Sequence, residues 1–163
     1  MSSTPFDESL LQDELTRFAQ LQRLVADSSS LIYLDRLGQL QSVMQVLELV
    51  SVPGVAEETG FALDLPLFTD LPAGASVDQR IIAAARQQQL PVLSDDRHIL
   101  RAAEGSGTGF YNTGMILCYL RYRGRLDAPR AQAAWQQLES FARYAGPIRA
   151  YCRQLLQHLD KCS

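Results

Sequence analysis

Leu24-Val25-Ala26-Asp27-Ser28-Ser29-Ser30 is a short apolar run that ends in an acid and passes straight into three small hydroxyl residues. That punctuation reads as a buried strand feeding a helix start. The pattern recurs at Pro91-Val92-Leu93, which ends in Ser94-Asp95-Asp96 and leads into a helix over 96–104. Leu49-Val50-Ser51-Val52-Pro53 reads as another strand. Between these runs the periodicity predicts a helix pair over 29–36 and 39–47, broken at Gly38. A further helix is expected to start near Pro53 and carry Glu57 and Glu58, because proline's missing N–H is unpaired in a first turn anyway. An alanine-rich helix covers 76–89, opened by Ser76 or Asp78. Strands alternating with helices imply an α/β fold, with a short central parallel sheet of four to five strands covered on both faces.

Outside this centre the chain reads as mostly helical. Residues 7–22 form an amphipathic helix with Leu10, Leu11, Leu15, Phe18 and Leu21 roughly on one face. Residues 61–72 are irregular, with a short strand near Leu67-Phe68. Gly105-Ser106-Gly107-Thr108-Gly109 reads as a loop, Phe110-Tyr111 as a last short strand, and 112–123 as a helix ending at Gly124. Two helices close the chain. Ala131, Ala134, Trp135, Leu138, Phe141 and Ala142 mark the first, and Ile148, Tyr151, Cys152, Leu155, Leu156 and Leu159 the second. No repeat or long linker interrupts the sequence, so residues 1–163 read as a single domain with helical extensions at 7–22 and 127–161.

Composition narrows the function classes. Of 163 residues 47% are hydrophobic and 20% charged, an ordinary globular balance. No apolar run approaches the roughly 20 residues that span a bilayer. The opening MSSTPFDESLLQDEL carries acids where a signal peptide would be apolar. Cys118, Cys152 and Cys162 show no metal spacing and read as reduced thiols, so a cytoplasmic protein without membrane attachment is expected. The net charge of −3 is unevenly placed. Residues 1–116 hold seven arginines against fifteen acids, and residues 117–163 hold seven arginines and one lysine against three acids. An acidic body with an arginine-rich tail suits a metal centre beside a phosphate-contacting surface; the plainer reading is that the terminal helices have basic solvated faces.

In an open parallel sheet, ligands collect beyond the carboxyl ends of the strands. Asp27 and Asp95-Asp96 follow apolar strands directly, Glu58 lies one turn into the helix after Val52, and Asp78 opens the 76–89 helix. Each also has a structural explanation, since Asp is a good N-cap and first-turn acids meet the helix dipole favourably. Other chemistries fail on residue content. The only lysine is Lys161, which removes a phosphoacceptor site and a phosphate-binding P-loop. The glycine run at 105–109 follows a helix instead of a strand, which argues against a dinucleotide fingerprint. His98 and His158 are isolated, so neither zinc binding nor a hydrolase triad is supported.

The acidic motifs, taken in order, resemble the PIN nuclease family. Val25-Ala26-Asp27-Ser28-Ser29-Ser30 through Gly38 looks like the opening of a PIN domain. In Val52-Pro53-Gly54-Val55-Ala56-Glu57-Glu58 the spacing from Val55 selects Glu58 over Glu57. Asp78-Gln79-Arg80-Ile81 is similar to the third motif, with Asp where Glu is commoner. Pro91 to Arg97 with Arg101-Ala102-Ala103 is similar to the fourth, and Asn112-Thr113-Gly114 with Gly124 to the closing turn and helix. The resemblance covers about residues 23–126. It implies a three-layer PIN-like fold and a metal-dependent ribonuclease that holds Mg2+ or Mn2+ on Asp27 and Asp96, with Glu58 and Asp78 bound directly or through water. Asp95 is the alternative to Asp96, and Ser29, Ser30 or Thr113 would orient waters or carboxylates. The resemblance further implies single-stranded RNA as substrate and an antitoxin-like protein partner, and a homodimer is expected. In the arginine-rich tail, Arg121 and Arg125 share one face at the end of the 112–123 helix and are the expected RNA contacts. The alternative it leaves open is a PIN-fold module that binds or assembles without cutting.

Overall fold

The structure, a computed structural model, describes residues 8–162. In chain order the elements are α1 Glu8–Gln20, β1 Arg23–Ala26, α2 Ser28–Arg36, α3 Leu40–Val46, β2 Glu48–Val50, α4 Val55–Thr59 and α5 Val77–Gln88. They continue with β3 Val92–Leu93, α6 Arg97–Ser106, β4 Phe110–Tyr111, α7 Thr113–Tyr122, α8 Ala128–Phe141 and α9 Gly146–Lys161. Two compact units emerge. One is Gln22–Thr113, and the other joins residues 8–21 to residues 114–162.

The first unit is an α/β fold built on a four-stranded parallel sheet in the order β2-β1-β3-β4. Leu24, Val25, Ala26, Val92 and Leu93 are fully buried, which explains why their sequences are continuous apolar runs instead of alternating ones. The chain steps from β1 outward to β2, then crosses back to β3 on the other side of β1. The direction of winding therefore reverses between β1 and β3, the place where open α/β sheets leave a crevice for ligands. Ala26 pairs with Leu93, and the Asp27 N–H donates to the Leu93 carbonyl at 2.8 Å. The expected strand near Leu67 is reduced to a single parallel bridge between Ser51 and Leu67.

Helices α3, α5 and α6 pack against β2, β1 with β3, and β4 respectively. Helix α5 begins with a capping box, in which Ser76 accepts from the Gln79 N–H and Gln79 accepts from the Ser76 N–H. Gly54 sets its approach to α4. With φ at +102° and only 2.6 Å between an added Cβ and Val77 Cγ2, no other residue fits without displacement. Arg80 fixes the same junction by donating to the Pro53 carbonyl at 2.9 Å. Helix α4, expected near Pro53, starts at Val55 after the left-handed Gly54 and carries Glu57 and Glu58. One expected boundary is corrected. Helix α6 runs through Gly105 to Ser106, whose hydroxyl donates back to the Ala103 carbonyl, so the loop is only 107–109.

The second unit is helical. Phe18, Tyr119, Leu120, Trp135, Leu138, Leu155 and Leu159 form much of its core, with Phe18 edge-on to Tyr119 at 5.4 Å between ring centres. The expected apolar face of α1 is corrected here, because Leu10 is exposed and Glu14 is fully buried. Asp7, the expected first residue of that helix, lies outside the described residues. The Tyr151 hydroxyl donates to Glu14 Oε1 at 2.7 Å, and Arg17 Nε lies 3.0 Å from Oε2. Burial first, then the Glu14 charge, pushes the Tyr151 hydroxyl well above its ordinary range, so it stays a neutral donor. Burial likewise raises the Cys118 thiol, whose Sγ lies 3.7 Å from the Cys152 carbonyl. Among the described residues no helix is long and apolar enough to cross a membrane.

A buried carboxylate that loses its donor keeps the full desolvation penalty. Tyr151→Phe is therefore expected to cost about 1–3 kcal/mol in urea unfolding. Adding Glu14→Leu to that variant should recover part of the loss, as replacement of buried charge by apolar volume does elsewhere. A Tyr151→Phe protein as stable as wild type would show that water reaches Glu14.

Candidate functional site

Asp27 occupies the N-cap position of α2 but does not cap it. Its carboxylate turns to the sheet edge, where Oδ2 accepts from Ser29 Oγ at 2.9 Å and from Ser94 Oγ at 2.9 Å. The residue is 3% exposed. Among the described residues its other oxygen takes no hydrogen bond, and no cationic side chain stands within ion-pair distance. A buried anion with two neutral donors and no counter-charge is costly and suits a site that receives a cation.

The neighbouring acids divide their work. Asp95 is tied down on both oxygens: Ser30 Oγ and Thr113 Oγ1 each donate to Oδ2 at 2.5 Å, and the Thr113 N–H donates to Oδ1 at 3.2 Å. Its own N–H donates to Ser29 Oγ at 3.0 Å. Asp95 thus pins the end of β3 to the start of α2 and to Thr113, which is a structural role. Asp96 caps α6, with Oδ1 accepting from the His98 N–H at 2.8 Å and the Ile99 N–H at 3.3 Å. The cap uses one oxygen and leaves Oδ2 without a hydrogen bond from the described residues. The N-cap explanation therefore holds for Asp96 and fails for Asp27.

Asp78 and Glu58 stand on this same unit. Asp78, largely exposed in the first turn of α5, has its carboxyl raised by partial burial, then by the charges of Asp27 and Asp96, with His98 opposing. Asp78 therefore feels the charge of both Asp27 and Asp96. Glu58 Oε1 accepts from Ser28 Oγ at 3.0 Å, which links α4 to the start of α2 beside Asp27. The hydroxyls thus connect Glu58, Asp27 and Asp95 to consecutive serines of α2, and α5 and α6 bring Asp78 and Asp96 within electrostatic reach. Ser94 is the contact of the candidate site that the sequence conceals. It lies opposite Asp27 only because Leu93 pairs with Ala26.

Uncommitted oxygens on Asp27, Asp78, Asp96 and Glu58 fit a hard divalent cation, which prefers oxygen donors. Among the described residues no three His, Cys, Asp or Glu side chains gather into a ready cage.

The arginine contacts belong to the helical unit. Arg121, only 13% exposed, is ion-paired with Asp160 at 3.1 Å, and Arg153 is ion-paired with Glu139. Arg123 donates to the Tyr119 hydroxyl at 2.7 Å. Arg125 lies beyond α7 and is exposed. Of the two arginines expected to contact RNA, Arg121 is thus paired with Asp160 within the protein, and Arg125 is exposed. No family model, curated protein or solved structure matches the chain.

Two stability measurements test this division of roles. Asp95→Ala strands several donors and should cost about 2–4 kcal/mol, whereas Asp96→Ala loses a cap worth about 1 kcal/mol. Equal costs would refute the distinction. For Asp78 the raised folded-state value means that the folded protein holds the proton more tightly than the unfolded chain, whose value is near 3.8. Its ionisation therefore lowers stability as pH rises from about 3.8 through the folded value. Urea unfolding of Asp78→Asn against wild type should show a difference that moves in the variant's favour from pH 3 to pH 7, by less than about 1 kcal/mol because the group is exposed.

Proposed function

We propose that residues 22–113 form a metal-dependent phosphodiesterase site of the PIN kind, acting on RNA. The observation that carries this reading is Asp27. It is a buried carboxylate at the carboxyl edge of two central parallel strands, held by Ser29 and Ser94, without a counter-charge among the described residues. Asp27 and the free oxygen of Asp96 would hold Mg2+ or Mn2+, with Asp78 and Glu58 completing the set directly or through water. A bound divalent cation supplies charge neutralisation at the phosphate and a more acidic attacking water. The chain's own part is positional. Ser29 and Ser94 fix the orientation of the Asp27 carboxylate, and Ser28 restrains Glu58. Two buried thiols, at Cys118 and Cys152, suit a reducing compartment, and we assign the activity to the cytoplasm.

The reading predicts that wild-type protein cleaves single-stranded RNA only with Mg2+ or Mn2+, and that Asp27→Asn lowers the rate at least 100-fold while far-UV circular dichroism is unchanged. Wild type should also gain thermal stability on adding either ion, since a ligand specific to the folded state stabilises it. Asp27→Asn should lose most of that gain. Ion-dependent stabilisation without cleavage of any RNA tested would favour a non-catalytic binding module. Absence of both effects would overturn the metal site itself.

A further inference from the structure

A cleft of about 370 Å³ runs between α5 and α6, within the α/β unit. Its wall is apolar, made by Ile82, Ala83, Ile99 and Ala102, and its volume lies in the range of small-ligand sites. Asp78, Ile82 and Arg86 follow one another at four-residue spacing, so they form a stripe along one face of α5. At 1.5 Å per residue that stripe spans about 12 Å. Asp78 and His98 line the end nearest the acids, and Arg86 lines the far end. A second polar cleft continues past Arg86, along Gln89, Ser106 and Thr108. The Arg86 side chain makes no ion pair or hydrogen bond with the described residues.

We infer that this cleft receives a nucleotide of the RNA strand flanking the scissile phosphate, with its base against the Ile82 wall and its phosphate at Arg86. The inference rests on the nuclease reading and deepens it. Two observations choose a nucleotide over other occupants. His98 lines the cleft and its N–H donates to Asp96 Oδ1 at 2.8 Å, so a chain lying in the cleft continues directly to that acid. The far end offers an uncommitted guanidinium, which matches a phosphate and would be idle against an aliphatic protein segment. Apolar wall and terminal cation together match the two halves of a nucleotide, its flat base and its charged ester.

The test uses metal-free Asp27→Asn protein with 13C-labelled isoleucine methyl groups and a 5′-phosphorylated tetrauridylate as probe. The Ile82 δ1 signal should move on titration while those of Ile116 and Ile148 stay fixed. Arg86→Gln should weaken binding three- to tenfold and flatten the salt dependence by somewhat under one unit, as loss of one phosphate contact does. An unmoved Ile82 signal, or an affinity unaffected by Arg86→Gln, overturns the proposal. Movement caused by a leucine-rich helical peptide but not by the oligonucleotide also overturns it, and assigns the cleft to a protein partner. The cleavage assay stands apart. Ile82 movement with inactive wild type supports the cleft and counts against hydrolysis, whereas active wild type with Ile82 unmoved strikes the cleft alone.

Discussion

The pairing of β1 with β3 is the constraint on which the site depends. Because Ala26 lies opposite Leu93 in a parallel register, the first residues beyond the two strands, Asp27 and Ser94, meet at one edge. A slip of one residue would send Val25 and Val92 to the wrong faces and break the Asp27–Ser94 contact together. Burial of the strands therefore fixes the chemistry: the same apolar packing that stabilises the sheet sets the position of a carboxylate to within a hydrogen bond.

Around that edge the fold assigns different duties to similar residues. Asp95 and Asp96 are adjacent and chemically identical, yet one is consumed by Ser30 and Thr113 while the other caps α6 with a single oxygen. Three consecutive serines reach three different acids, because successive helix positions are turned by about 100°. Neutral hydroxyls hold the carboxylates without cancelling their charge. Asp27 and Asp96 still repel the Asp78 carboxylate, and a cation would relieve that repulsion.

The helical unit solves a different electrostatic problem. Glu14 is buried without exposure to water, and Tyr151 from α9 and Arg17 from the next turn of α1 compensate it. Arg121 is similarly committed to Asp160. The basic excess of the C-terminal segment therefore overstates the charge available to a ligand, since sequence counts take no account of pairs made within the fold.

Alternation of apolar runs with helical periods was enough to establish the α/β class, the strands at Leu24–Ala26 and Pro91–Leu93, and the placement of Asp27 at a strand end. These are local properties, and a strand's burial shows in its own composition. Boundaries followed less well. Gly105 and Ser106 continue α6 because hydrogen bonding to Ala103 outweighs glycine's weak helix preference. The roles of the acids were legible only as a set. Whether Asp27 caps a helix or faces the sheet edge depends on a serine 67 residues away. Likewise, nothing around Glu14 marks it as buried, because its partner Tyr151 is 137 residues distant. Sequence by itself determined which residues are apolar, where strands stop and which acids stand at the stops. Tertiary structure alone decided which oxygens are already spent, because a hydrogen bond between distant segments depends on register and packing that no local pattern records.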